Sequence, residues 1–496
     1  MKLFFSRFSQ AQVRLAQAAG VAVAGALVAG CGAGYRPVIS PINPSGPAAQ
    51  PSSLVAVVSY PSPTAPGVAT IIDYSGDTVM ATSPIGPGPT SFTIDQTGSN
   101  GYTVNSDGTL TNFPVSTTLQ QKYVQYTTLP TTANLVNLFT PSTGMWTADL
   151  DGNVADVLTG FPQTFKLSVP VATTPVSVIG PGVVGQRNYV IAQNFSDSTG
   201  GVACNTAPRS APALGEADAI ETATYTVSAR IPLGKCPVYG VESPDNKRLF
   251  VLNRGDDTIT VINSQNNTLD ECTPFYNQSG QLVTCHPSLP VSTSAGLSGS
   301  GVPAIAGPVY AEYNSATSQL VVADYDGGTI SVIDVSLDIY GNDGPNFGTT
   351  YTIPVGNSPA SVTVLYDGSR AYTANQDDGT VSVVNLSSHT LTKTLPVNGH
   401  PRTVLSTQNS LYGKVYAASP DSPYLTILRT DQDIINATVL VQGNIVDARV
   451  TTQNGSSGNA NVQSRKPGYG QPCYLPPSLL SVDELGKHPE KCSQMP

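Results

Sequence analysis

Charge is scarce in this 496-residue chain: Asp, Glu, Lys and Arg make up only 11% of it, against roughly a quarter in an ordinary soluble domain. With 46 glycines and 41 prolines as well, a coiled coil or helical bundle is excluded, because both need charged helix faces free of breakers. Histidine numbers four, and His286, His400 and His488 stand directly before proline. None has H-E-x-x-H spacing, so no catalytic metal is expected. There is no C-x-x-C, which removes the zinc-ribbon and dithiol redox readings, and no G-x-S-x-G elbow. Gly180-Pro181-Gly182-Val183-Val184-Gly185 matches G-x-G-x-x-G, but Tyr189-Val190-Ile191 continues as a strand instead of opening a helix, so the dinucleotide reading fails and no cofactor is expected. The one tryptophan, Trp146, sits at a strand position that reads as core.

What is present starts with a leader. Lys2, Arg7 and Arg14 precede an apolar run over 15–29, and small residues lead to Cys31. This reads as a signal peptide over 1–30, too short to span a bilayer comfortably. The ending Val28-Ala29-Gly30-Cys31 resembles a bacterial lipobox. That resemblance implies cleavage before Cys31 and fatty acylation of it with palmitate-type chains, and Gly32 after it favours the outer membrane by the sorting rules it resembles. Each buried acyl CH₂ contributes about 0.8 kcal/mol, so two or three chains anchor permanently. The leader takes three basic residues and no acidic ones with it, moving the formal net charge from −10 to −13. Nucleic acid is a poor partner for such a surface. No Lys/Arg block grips headgroups, so membrane contact comes through the lipid alone.

Residues 31–53, with Pro37, Pro41, Pro44, Pro47 and Pro51, read as an extended tether. Residues 453–496 read as an irregular tail lying outside the folded core. Besides Cys31 six cysteines remain, an even number suited to disulfides in an exported chain. Fifteen pairings are open in principle; the sequence-local choice is Cys272–Cys285, Cys473–Cys492 and, by default, Cys204–Cys236.

Residues 54–452 repeat. From Pro237 the chain runs PVYGVESPDNKRLFVLNRGDDTITVIN, from Pro308 PVYAEYNSATSQLVVADYDGGTISVID, and from Pro359 PASVTVLYDGSRAYTANQDDGTVSVVN. Asn253, Asp324 and Asn375 fall in register, as do Thr258, Thr329 and Thr380. Looser copies begin at Gly88, Ala133, Pro175 and Pro401, which makes seven units. Each reads as strands rich in Val, Thr, Tyr and Ile separated by turns. An all-β, seven-bladed β-propeller of four-stranded antiparallel blades is therefore expected.

Leu249-Phe250-Val251-Leu252-Asn253, Ala371-Tyr372-Thr373-Ala374-Asn375 and Gly101-Tyr102-Thr103-Val104-Asn105 resemble the Tyr-Val-Thr-Asn (YVTN) repeat of prokaryotic surface β-propellers. Asp replaces Asn at Asp324 and Asp149, and in the third unit the Asn is displaced to Asn194. The resemblance implies an envelope location. The family's loop arrangement puts the insertion 195–218 and Cys236 on one face at a junction of blades, which makes Cys204–Cys236 a geometric expectation. A second insertion, 264–301, carries Cys272 and Cys285 on the other face.

On the first face Arg254, Asp257, Asp326, Gln376 and Asp378 form the expected binding rim. The recurring acids read as turn residues rather than calcium ligands, since none has the EF-hand pattern. Two function classes follow. One is a non-catalytic, lipid-anchored envelope propeller that binds another envelope protein, a glycan or a small ligand. The alternative, from lactonase-like members of the resemblance, is a hydrolase in which His400, Arg402, Arg254 and Asp257 polarise a ring ester.

Overall fold

The computed structural model describes residues 53–62, 65–130, 134–141, 144–180, 186–195, 204–205, 207–277, 280–291, 305–407, 410–451 and 463–471. The leader, Cys31, the tether, Cys473 and Cys492 lie outside the described residues. Strands alternate with tight turns, and consecutive strands pair antiparallel into four-stranded sheets. Among the described residues eight sheets form blades, not the seven expected, and the sheet of blade 5 takes up a fifth strand, Ser288–Pro290, against its third. Blades 2 to 8 each open on their innermost strand: Pro89–Ile94, Leu135–Phe139, Pro175–Ile179, Pro237–Glu242, Pro308–Asn314, Pro359–Val364 and Thr403–Ser406.

Blade 1 is the one the repeat count missed. Its outer three strands, Leu54–Tyr60, Pro66–Asp73 and Val79–Pro87, come from the start of the propeller, and its inner strand, Asn444–Val450, from the end. Val57 faces Ala448 and Tyr60 faces Asn444 across that seam. No contiguous stretch of sequence contains this blade, so no copy of the repeat betrays it. The inner strands adjoin in a closed ring, blade 1 against blade 2 and blade 8 back against blade 1. Radial closure turns each blade's inner edge toward the axis, where it is short and protected, and so lowers the aggregation hazard of an open sheet.

Burial grades outward along each blade. In blade 7 the first three strands are almost wholly buried, whereas the fourth, Thr390–Pro396, is mostly exposed. Hence Val, Ile and Ala fill the inner strands and Thr and Lys appear in the last one. The apolar clusters lie between neighbouring blades; one joins Phe250, Leu252 and Val261 of blade 5 to Val309, Leu320 and Val332 of blade 6.

The repeated Asn and Thr explain their own register. Asn253 donates its side-chain amide to the hydroxyls of Thr258 and Thr260 at 3.1 and 2.8 Å. Asn375 does the same to Thr380 and Ser382, and Asn105 to Thr109 and Thr111. In blade 6 the direction reverses: Thr329 and Ser331 donate to Asp324 at 3.0 and 2.7 Å. Hydroxyls serve either partner because they both donate and accept. The residue therefore clasps the second strand to the third.

Candidate functional site

Antiparallel succession puts the second-to-third loops and the interblade loops on one face and the remaining turns on the other. On the first face the expected Cys204–Cys236 disulfide is formed, and the expected Cys272–Cys285 bond pins the other insertion. Cys204 and Cys236 pack with Phe195 and Ala211 in a small apolar cluster that fixes the insertion to the mouth of blade 5.

Beside that bridge three of the expected rim residues converge. Arg254 pairs with Asp326 at 2.7 Å, and Arg209, from the insertion, binds Asp257 at 2.7 Å and Asp326 at 3.3 Å. Asp257 also accepts the backbone N–H groups of Ala306 and Gly307 at 3.0 and 2.7 Å, tying blade 5 to the next interblade loop. The Arg254 guanidinium lies over the Tyr325 ring, 5.2 Å from its centre, and the Tyr325 hydroxyl donates to buried Gln376 at 3.3 Å. Asp378 stands apart from this network and holds Asn357 through its backbone and side-chain N–H groups at 2.7 and 2.8 Å. The insertion's Arg209, which joins two of the rim acids, was not singled out in the sequence because no repeat position corresponds to it.

The hydrolase set is not brought together. The His400 ring lies 2.6 Å from Asp421, which also accepts the His400 backbone N–H at 2.8 Å. The same backbone bond recurs where Asp256 holds Lys235 and Asp378 holds Asn357. His400 thus occupies a loop position that Lys and Asn fill equally well, and its imidazole is incidental to it. Arg402 is buried and donates to the Val446 carbonyl in blade 1. Burial pushes its guanidinium down to about 10, against the opposing pull of Asp447. Arg254 and Asp257 sit in blade 5, bound as described, so the four residues serve two separate places.

The axial channel is filled by the chain's own tail. Residues 463–471 are largely buried there, contrary to the expectation that the tail lies outside the core. Asn137 donates to the Ser464 carbonyl at 2.7 Å, Gln463 to Ser177 at 2.9 Å, and Arg465 to the Ala360 carbonyl at 3.0 Å. Gln193 donates to the Tyr469 carbonyl at 2.7 Å, and Gln471 to the carbonyls of Val238 and Val309 at 2.9 and 3.1 Å. Arg254 grips the Gly470 carbonyl at 2.8 Å, linking tail to rim. Gly470 has φ of +91°, and a side chain there would come within 2.4 Å of Val238, so only glycine passes this point.

Three arginines meet near the axis. Burial alone would raise the Asp447 carboxyl, but Arg449, Arg402 and Arg465 hold it below its usual range. Arg465 also stacks 4.2 Å from the centre of the Tyr310 ring. Burial pushes Glu312 up to about 8 even though it accepts the Val364 N–H at 2.9 Å. These groups are spent on holding the tail and the inner strands.

A second concavity, of about 310 Å³, opens between blades 4 and 5 on the opposite face, lined in part by Tyr189, Glu242 and Ser264. No repeat position announced it, because its residues differ from those of the sister junctions.

No family model and no curated protein matches the sequence. Similarity is to solved structures. Apo AztD from Citrobacter koseri superposes with a TM-score of 0.54 at 11% identity, covering 82% of this chain and 99% of that one. Dihydro-heme d1 dehydrogenase NirN in complex with DHE gives 0.53 at 14% identity, over 80% of this chain and 74% of that one. A 6-phosphogluconolactonase-like protein from Bacteroides fragilis gives 0.50 at 16% identity, over 82% and 99%. At such identities the likeness shows the β-propeller fold alone.

Proposed function

We infer that this chain is a non-catalytic β-propeller of the bacterial cell envelope, anchored through lipid on Cys31, that binds another envelope protein or glycan on the disulfide-pinned rim. The observation that carries this reading is the separation of His400 with Asp421 from Arg254 with Asp326, each already saturated. General acid–base catalysis needs such groups within hydrogen-bond reach of one reacting centre. The tail in the axial channel supports the same conclusion, since it occupies the deepest concavity a propeller offers. On this face the rim is open to recognition, with Arg209, Asp257 and Asp326 partly exposed and already arranged as alternating charge. A preset array of that kind gives specificity at low ordering cost.

The test is a photo-cross-linking residue placed at position 209 in the producing cell, with one at position 165, on an exposed outer strand, as control. A discrete adduct from 209 and none from 165 is expected. Equal labelling at both positions overturns the rim assignment, and ring-ester turnover lost in His400→Ala overturns the non-catalytic one. For the anchor, labelled palmitate is expected in the wild type and absent from Cys31→Ala; label retained in the variant removes the lipid claim.

A further inference from the structure

Four blades open their second strand with a basic residue: Arg187 in blade 4, Arg248 in blade 5, Arg370 in blade 7 and Lys414 in blade 8. Three of these reach the third-to-fourth connection of the following blade. Arg370 pairs with Asp433 at 2.5 Å, Lys414 with Asp77 at 2.6 Å, and Arg248 with Asp343 at 3.1 Å. In blade 7 the tyrosine two residues on, Tyr372, donates to the same Asp433.

The junction of blades 4 and 5 breaks the pattern. Its turn is Ser264-Gln265-Asn266-Asn267, without a carboxylate. Asn267 adopts the left-handed backbone of Asp433 and Asp77, with φ of 61° against 52° and 54°, but its amide turns to the Ser228 hydroxyl at 3.2 Å. Arg187 folds back onto Glu221 of its own blade at 2.6 Å. Beside this turn Arg187, Ser264 and Gln265 line the 310 Å³ cavity. Into it comes Glu242 from the inner strand of blade 5, only 2% exposed, with neither carboxyl oxygen hydrogen-bonded. The buried hydroxyls of Tyr189 and Ser264 face each other beside it and are drawn on by no other partner. Buried polar groups are nearly always satisfied, so one left open beside a cavity points to a missing partner.

We propose that this cleft binds a small molecule through a primary ammonium group seated on the Glu242 carboxylate. An ammonium brings three donors and no acceptor, and a carboxylate brings acceptors only. The surrounding charges are already balanced: Arg187 by Glu221, and Asp245 by Lys247 at 3.8 Å. Glu242, once ionised, is the one unmatched charge, which a single ammonium neutralises. The amides of Gln186, Asn246 and Gln265 at the margin suit a polar remainder of the ligand. Burial, with Asp245 adding to it, pushes Glu242 up to about 8. The empty site is therefore protonated at neutral pH, binding releases that proton to solvent, and affinity rises with pH until about 8.

Calorimetry of the purified chain with 5-amino-1-pentanol and with 1,5-pentanediol at pH 6, 7 and 8 tests this. The amine is expected to bind about tenfold more tightly at pH 7 than at pH 6 and more tightly again at pH 8, releasing about one proton below pH 7. The diol is expected to bind at least tenfold more weakly than the amine at pH 8. Glu242→Gln is expected to abolish the amine's advantage with the thermal midpoint kept or raised. Equal binding of amine and diol, a flat pH profile, no binding of the amine at pH 8, or amine affinity unchanged in Glu242→Gln each overturns the proposal. Should that variant not fold, the wild-type pH profile and the diol comparison decide.

Discussion

The junction between blades 7 and 8 and that between blades 4 and 5 share a scaffold but differ in who answers the tyrosine. At the first, Asp433 receives both Arg370 and Tyr372, and nothing is left over. At the second, Asn267 stands in the acid's place, the arginine has retreated to Glu221, Tyr189 turns to Ser264, and Glu242 is buried without a bonded partner. Three of the four blades that carry the basic residue close such a clasp, and its omission at the fourth is a departure with a cost, because unsatisfied buried polar groups destabilise. The largest effect should come from opening the closed junction. Asp433→Ala strands a mostly buried guanidinium and phenol, and is expected to cost about 3 kcal/mol in urea unfolding. A loss below about 1 kcal/mol would mean that the clasp is decorative and the comparison empty.

The next effect sits at the open junction and is read through pH. Unfolded, the Glu242 carboxyl loses its proton near 4.5; folded, burial holds it until about 8. Between those values the native state carries the extra proton, so this group's contribution to stability falls as pH rises, by about 1.4 kcal/mol per unit. Glu312, also raised to about 8 at the axis, adds a similar fall. In Glu242→Gln, stability from pH 5.5 to pH 7.5 should therefore drop about 2 kcal/mol less than in the wild type. An unchanged slope would show that water already satisfies the carboxylate.

Much of this was legible in the sequence, and the limits have physical causes. Register of Asn253, Asp324 and Asn375 against their threonines revealed the blades because one hydrogen-bonded clasp enforces that spacing in each copy. Both disulfides among the described residues were paired correctly, one from proximity in the chain and one from where a propeller puts its loops. The eighth blade was invisible because its strands come from opposite ends of the propeller. The tail's place in the channel was invisible for a related reason: Gln463 donates to the Ser177 hydroxyl, Arg465 to the Ala360 carbonyl, and the Ser464 carbonyl accepts from Asn137, all in blades far away in the chain, and single polar contacts of that kind leave no periodic pattern. The open cleft was missed because a site made by departing from a repeat looks, in one sequence, like ordinary drift.

A smaller effect follows from transplanting the closed clasp. Asn267→Asp puts a carboxylate on the backbone conformation that Asp433 uses, within the same turn. Tyr189 and Arg187 then have the partner their counterparts enjoy, although Arg187 must give up Glu221. The net gain is expected at about 1 kcal/mol at pH 6, since a charge-assisted hydrogen bond replaces the phenol's weak neutral contact with Ser264. The same variant should lose the amine site, because the cavity closes. Stabilisation without loss of binding would separate the two and show that the cavity is not the vacant clasp.

The smallest effect compares blade 6 with blades 5 and 7. Asp324 stands where they have asparagine, and burial pushes its carboxyl well above the ordinary range while Ser331 and Thr329 donate to it. Where it is protonated, the carboxylic acid is neutral and nearly the same shape as an amide, and the two hydroxyls can reverse from donating to accepting, as Thr258 and Thr260 do for Asn253. Asp324→Asn is therefore expected to shift stability by less than about 1 kcal/mol at pH 5. As pH rises the wild type has to ionise a carboxyl that burial disfavours, so the variant should become the more stable of the two above neutrality. A destabilised variant at both pH values would mean that the hydroxyls in blade 6 are locked by other bonds, such as that from Ser331 to the Val291 carbonyl at 2.8 Å, and that the clasp is not interchangeable between blades.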